Sequence, residues 1–322
     1  MPGPKTKKRK VLGWVASLAI LGIGVLALWL YAPDQPRAAL EARYPGDYRN
    51  VGGIRLRLRD SGPRDAPALI LLHGFGASLE TWEPWAKALS PRFRVIRLDL
   101  PGFGLTGADP RGDYTDARTM KILIGLMDQL GIERASLVGN SLGGRIAWNF
   151  AARYPERVMR LVLVSPDGFA SPGFDYDKAH ETPMLMRALP YVAPREMLKA
   201  NLAAAYARPE ALSDATLTRY RDMMLAPGIR RAILARMSQT ILRDPAPTLA
   251  RIQAPTLLLW GEEDRMIPIA NAADYLRHLP QAELIGLPDL GHLPFEEDPV
   301  RSLAPVERFL SAGASRDGRL GT

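Results

Sequence analysis

The chain of 322 residues has no cysteine. Disulfides and cysteine-held metals are excluded, and redox chemistry gives no clue to compartment. Histidine is scarce, with only His73, His180, His278 and His292. No His-Glu-x-x-His run occurs, so no metal is implied. No internal repeat is visible. Acidic residues are missing from the first ten positions, where Lys5, Lys7, Lys8, Arg9 and Lys10 gather. Those five leave only +3 of the formal +8 to the rest of the chain. The basic balance is therefore a topology signal rather than a nucleic-acid footprint, and no nucleic-acid partner is expected.

An apolar run succeeds the basic cluster. Residues 11–31 carry no charge, and as a helix they would extend roughly 30 Å, the thickness of a bilayer's hydrocarbon core. Trp14, Trp29 and Tyr31 stand near its two ends, where aromatic belts form. Bulky residues at 28–31 do not suit a signal-peptidase exit site. The expected layout is a basic cytoplasmic segment (1–10), an uncleaved transmembrane signal anchor (11–31) and a linker with a short helical patch (32–48). The positive-inside rule then puts the remainder outside the cytoplasm, on a single-pass cell-membrane protein with the bilayer as a partner. Arg37, Arg43 and Arg49 beyond the span weaken that asymmetry.

The remaining length fits one domain with an insertion. Gly53-Ile54-Arg55-Leu56-Arg57-Leu58-Arg59 alternates, which predicts a half-exposed antiparallel edge strand with arginines outward. Strand-like runs recur near 69–73, 94–99, 136–140, 160–165, 256–260 and 283–287, most of them separated by helical patterns. That alternation predicts an α/β fold with a mostly parallel sheet and helices on both faces. Between 169 and 247 the strand pattern stops. Helical patterns at 183–189, 195–207, 213–225 and 230–242 predict a helical cap over the core (49–168 and 248–312), with a tail at 313–322.

Chemistry concentrates at Val138-Gly139-Asn140-Ser141-Leu142-Gly143-Gly144. A serine with glycine two residues to either side, between an apolar run and a helical pattern, reads as a nucleophile elbow. Side chains at Gly139 and Gly143 would collide with neighbouring backbone, and Ser141 is pushed out at a helix N-terminus, where negative charge is welcome. A serine nucleophile needs a base, and the base needs a carboxylate. His292, in the loop Pro288-Asp289-Leu290-Gly291-His292, is the candidate base. His278 sits in a helical pattern, and His180, in a charged segment, has no catalytic context. Asp264, closing the strand-like run that ends in Trp260-Gly261-Glu262-Glu263-Asp264, is the favoured acid. Asp167 is its rival after an earlier strand, and Glu262 and Glu263 read as solvated loop charges. Leu69-Ile70-Leu71-Leu72-His73-Gly74-Phe75-Gly76 is a strand entering a glycine turn. Its Phe75 amide, with that of Leu142, is suited to an oxyanion hole, while His73 reads as a buried histidine bonded to backbone. Gly102-Phe103-Gly104-Leu105-Thr106-Gly107 matches a dinucleotide fingerprint, but turn residues occur where a helix should open, so no cofactor is expected.

These motifs, in this order, resemble the α/β-hydrolase superfamily over roughly residues 51–310. The resemblance implies an eight-stranded, mostly parallel sheet and a triad of Ser141, Asp264 and His292. The expected reaction is hydrolysis of carboxylic esters of small apolar substrates through an acyl-enzyme. The span-plus-hydrolase layout looks like single-pass monoacylglycerol-lipase-type enzymes. The alternative is carbon–carbon hydrolysis of dienoic ring-cleavage products, whose enzymes resemble this chain at 139–144 and at Asn149-Phe150-Ala151. Their oxyanion turn is richer in glycine, however, and an aromatic residue usually follows the histidine, where this chain has Leu293. A third reading is a hydrolase-fold ligand-binding protein with little turnover. Methionines at helical spacing are by default core, yet Met184, Met186, Met223 and Met224, with Trp260 and Leu293, are candidates to line an adaptable apolar pocket.

Overall fold

The computed structural model of the protein describes residues 14–15, 17–22, 24–25, 28, 30–170, 175–178 and 184–317. Eight strands form one sheet in the order β1-β2-β4-β3-β5-β6-β7-β8. They are β1 (Asp47–Val51), β2 (Ile54–Ser61), β3 (Ala68–Leu72), β4 (Arg94–Leu98), β5 (Ala135–Asn140), β6 (Val158–Val164), β7 (Thr256–Gly261) and β8 (Ala282–Leu287). β1–β2 and β2–β4 pair antiparallel, and every other neighbour is parallel. The six parallel strands fall where the apolar runs predict them; β3, β4, β5 and β7 are buried along their whole length, as strands covered on both faces are, whereas β8 closes the sheet and is mostly not buried.

β3 shows how the two faces are filled. Ile70 and Leu72 join a cluster with Ile122, Leu126, Ile146 and Phe150. Leu69 and Leu71 point the other way, to Trp82, Trp85, Leu303 and Leu310. The first face is covered by α3 (Asp116–Gln129) and α4 (Leu142–Arg153), the second by α2 (Glu83–Leu89) and α11 (Pro299–Asp317). Each such side chain contributes about 1.5–3 kcal/mol on full burial.

Two expectations about the first strands need correction. β2 is not an edge, since β1 covers it through the turn Gly52-Gly53, both glycines at positive φ. That geometry is the hairpin turn type that glycine alone adopts freely. Nor do all the arginines point outward. Arg57 is wholly buried, donating to Asp99 at 2.9 Å, to Glu80 and to the carbonyls of Tyr44 and Pro45. The alternation fails there because a carboxylate on each side makes an inward guanidinium tolerable.

Residues 32–48 are packed rather than slack. α1 (Arg37–Arg43) buries Leu40 in the core. Asp222, 3% exposed, accepts from Gln35 Nε2 at 2.9 Å, Arg43 Nη1 at 2.7 Å and Tyr44 Oη at 2.9 Å. Burial, reinforced by Asp222, pushes the Tyr44 hydroxyl up to about 12.

The connection from β6 to β7 carries α5 (Arg195–Ala203), α6 (Asp214–Met224) and α7 (Ile229–Gln239), with a 3-10 turn at Met184–Ala188 and the short α8 (Ala246–Leu249). Ser213 caps α6 through the Thr216 N–H, as its place before the helical pattern implies. His180 lies outside the described residues.

The expected transmembrane helix is not shown. Among the described residues no helix is long and apolar enough to cross a membrane. Residues 11–13, 16, 23, 26, 27 and 29 of the expected span lie outside the described set. Those that are described, from Trp14 to Leu30, are helical, and Trp14, Ile20 and Leu28 are each at least 70% exposed.

Candidate active site

β5 ends at Asn140, and α4 begins one residue after Ser141. Ser141 bridges them at φ 52°, ψ −118°, a conformation that costs a non-glycine residue about 1–3 kcal/mol. Backbone bonds hold it there. Its N–H donates to Val164 O at 3.1 Å, and its carbonyl accepts from Arg145 N at 2.9 Å and Asp167 N at 3.1 Å. A β-carbon on Gly143 would stand 2.7 Å from His73 O, and one on Gly139 would stand 2.6 Å from Gly144 N. Only glycine permits so close a crossing of strand and helix. Among the described residues no hydrogen bond engages the Ser141 hydroxyl.

The other two triad candidates close as a pair. Asp264 follows β7 and His292 follows β8, so all three stand at carboxyl ends of parallel strands, the usual place for ligands on such sheets. His292 Nδ1 lies 2.8 Å from Asp264 Oδ2, with both side chains at least 96% buried. The N–H groups of Met266 and Ile267 each donate to Asp264 Oδ1 at 2.8 Å. That leaves Oδ2 aimed at the ring and Nε2 free to face outward. Asn140, beside the serine, donates its side-chain amide to the carbonyls of His292 and Val164, both at 3.1 Å. Asn140 thus ties the histidine loop to the elbow. The hydroxyl-to-Nε2 link is not among the bonds formed, and contacts of this kind commonly tighten only when a reacting group is seated.

Asp167 is occupied elsewhere. Arg145 Nη1 holds it at 2.9 Å, while Arg145 Nε faces Asp116 at 3.0 Å. Glu262 and Glu263 are exposed, and His278 ends α9 (Ala272–His278), stacked on Phe169.

His73 is wholly buried, and burial pushes its pKa down. Its Nε2 accepts from Leu100 N at 2.9 Å, so Nδ1 carries the proton and donates to Gly74 O at 2.7 Å. The turn it braces lies against the elbow: a β-carbon on Gly74 would stand 3.3 Å from Ser141 Cβ. Phe75 and Leu142 are therefore placed beside the serine, and among the described residues neither N–H is taken. The Phe75 ring is 48% exposed and meets Phe103 edge-on at 5.2 Å.

The glycine-rich loop after β4 wraps a carboxylate of the protein, not a phosphate. Asp99 accepts from Leu79 N at 2.8 Å, Leu105 N at 2.7 Å and Arg57 at 2.9 Å. No helix opens there, since α3 begins only at Asp116.

The candidate pocket residues scatter. Met223 and Trp260 are in the core, the indole N–H donating to Ile267 O at 2.8 Å. Leu293 is buried in the opposite cluster. Met224 packs on Ala32, Ala193 and Leu225, Met186 is half-buried, and Met184 is 85% exposed. Helical spacing alone does not say whether a methionine is buried or against what.

Sequence reading missed the link from the histidine loop to the helical insertion. His292 N–H donates to Ala205 O at 2.7 Å. Glu297, in α10 (Pro294–Glu297), accepts from Gly291 N at 2.7 Å and Ala207 N at 2.8 Å. Its neighbour Glu296 accepts from Thr81, from Arg219 at 2.5 Å and from Tyr206 at 2.6 Å. Burial pushes Glu297 up, and burial likewise pushes the Tyr206 hydroxyl up, with Glu296 adding to it. The pair Glu296-Glu297, two acids just past the candidate base, was the available signal.

A strand–elbow–helix serine, a buried acid–base pair at the sheet's carboxyl edge and helices inserted after β6 define a hydrolase fold. The profile of the family described as alpha/beta hydrolase fold matches residues 67–299, and the chain belongs to that family. It is 32% identical over 255 residues to a 2-hydroxy-6-oxo-6-phenylhexa-2,4-dienoate hydrolase of Burkholderia cepacia, covering 76% of this chain and 87% of that one. Among solved structures it is similar to a meta-cleavage product hydrolase of Pseudomonas fluorescens, with TM-score 0.72 and 26% identity over 83% of this chain and 98% of that one. It is also similar to a bacterial membrane phospholipase A, with TM-score 0.71 and 28% identity over 95% of this chain and 98% of that one.

Proposed function

We propose that the protein is a serine hydrolase that cleaves carboxylic esters of lipid-like substrates at a membrane surface. Ser141 Oγ attacks the ester carbonyl while His292 Nε2 takes its proton. Asp264 fixes the ring tautomer and offsets the imidazolium charge. The Phe75 and Leu142 amides receive the oxyanion, each such donor worth about 3–4 kcal/mol in the transition state. His292 returns the proton to the leaving alkoxide. It then activates water to release the acid from Ser141. The carrying observation for the chemistry is the buried 2.8 Å His292–Asp264 pair beside a strained, unbonded serine.

The substrate class rests on coverage. A match over 95% leaves out 5% of 322 residues, about 16, fewer than precede β1 at Asp47. The likeness to the membrane phospholipase therefore reaches into the N-terminal segment. An apolar, charge-free run behind five basic residues, exposed at its described residues from Trp14 to Leu28, supports an anchor there, with the hydrolase on the extracytoplasmic side. Carbon–carbon hydrolysis of dienoic acids is the second reading, favoured by the 32%-identical curated relative. One panel separates them: fatty-acyl glycerol and phospholipid esters in detergent, beside a 2-hydroxy-6-oxo-dienoate. Turnover of the esters, abolished in Ser141→Ala, supports the proposal. Preferential cleavage of the dienoate overturns it in favour of the second reading. Fluorophosphonate labelling of Ser141 with no steady-state product from any substrate would point to a ligand-binding protein.

A further inference from the structure

One carboxylate collects donors from two sides of the site. Glu296 lies just past His292 in α10, its side chain 7% exposed. From the insertion, Tyr206 Oη donates to its Oε2 at 2.6 Å, while Arg219 Nη2 and Tyr220 Oη donate to its Oε1 at 2.5 Å and 3.3 Å. From the sheet core, Thr81 Oγ1 donates to the same Oε1. Thr81 belongs to the 3-10 turn Leu79–Trp82, which continues the chain from Phe75.

The link on each side is short. Ala77 N donates to Gly74 O at 3.3 Å and Thr81 N to Ser78 O at 3.1 Å, and residues 77–82 are all buried. Trp82 meets Phe295, the neighbour of Glu296, with ring centroids 4.2 Å apart. On the histidine side, Glu296 N donates to Leu293 O at 2.9 Å. Tyr206 follows Ala205, whose carbonyl accepts from His292 N at 2.7 Å. The Glu296 carboxylate thus stands where the segment bearing the Phe75 amide, the segment bearing the His292 ring and the insertion meet.

A buried carboxylate is costly to desolvate, and apolar side chains packed in place of a buried ion pair are commonly as stable. What apolar packing lacks is direction, since a hydrogen bond fixes a distance and an angle. A general base and an oxyanion donor must face one carbonyl within a fraction of an ångström.

We propose that Glu296 is a positioning residue, holding the His292 loop in register with the Phe75 turn and with the insertion. The inference rests on the catalytic reading above, and Glu296 acts through the segments it joins. Out of register, His292 would deliver its proton poorly to a leaving alkoxide. A nitrophenolate departs without a proton, so it feels the fault less.

The test compares kcat/KM for ethyl butyrate and p-nitrophenyl butyrate, which share an acyl group, in full-length protein. Glu296→Gln should lose about 30-fold on the ethyl ester but only about 3-fold on the nitrophenyl ester. Thr81→Val and Tyr206→Phe, each removing one hydroxyl, should lose about 5-fold on the ethyl ester and less than about 2-fold on the other. A merely structural role would lower the folded fraction and reduce both esters by one factor. If Glu296→Gln does not fold, the two hydroxyl deletions decide the matter. Losses equal for the two leaving groups, or no loss, in the folded variants overturn the proposal alone. Absence of any Ser141-dependent ester turnover in the unmodified protein overturns the catalytic reading and this inference with it.

Discussion

Ser141 and His292 are positioned by different means. The serine is set by backbone alone: a strand end, a helix start and two glycines crossing at van der Waals contact, all within the sheet core. The histidine also depends on side chains, with Asp264 on one side and, on the other, a backbone bond to Ala205 in a stretch of the insertion that Glu297 clasps. The proposed nucleophile should therefore be indifferent to what the insertion does, while the proposed general base should feel it.

The largest expected effect isolates the elbow. Ser141→Ala should lower turnover by ~10⁴-fold or more. Its melting temperature should stay level or rise, since only a hydroxyl without a partner is lost. A matching fall in stability would show that the serine is structural. Gly143→Ala comes next. Forcing a β-carbon onto the neighbouring carbonyls should cost about 3 kcal/mol or more in urea unfolding. A stable Gly143→Ala protein would mean that the crossing is looser than described.

Glu297→Ala probes the other half. Losing the clasp should lower kcat about 10-fold, or about 1.4 kcal/mol in the barrier, with KM little changed and fluorophosphonate still labelling Ser141. Equal kcat in variant and parent would erase the contrast between the halves. The smallest effect is one of pH. His73 is held neutral in the fold, below its ordinary 6.5. The unfolded chain takes up that proton as pH falls below about 6.5 and the folded chain does not, so acid favours unfolding there. The loss should reach at most about 1.4 kcal/mol per pH unit. It should vanish in His73→Asn when urea midpoints are compared between pH 7.5 and 5.

Much of the fold is legible in the primary structure. Six parallel strands announce themselves as apolar runs, β8 among them although it is an edge that is only partly buried, and the elbow announces itself by its glycines. β1 does not, because Asp47-Tyr48-Arg49-Asn50-Val51 is polar and becomes a strand only by pairing with β2. The Gly52-Gly53 turn is the cue for that pairing. Arg57 defies the pattern because alternation describes a face, not the carboxylates that wait behind it. Asp167 and Asp264 both fall between Ser141 and His292, so chain order does not choose between them, and what separates them in the fold, Arg145 already gripping Asp167, is a long-range contact. The clasp at Glu297 joins positions 90 residues apart, a separation at which local pattern carries no information.

The three bonds that converge on Asp222 have a practical bearing. Severing the protein just ahead of β1 would strip that aspartate of Gln35, Arg43 and Tyr44 together and strand a bare anion in the interior. A cut on the amino side of Tyr31 would leave the whole fastening intact.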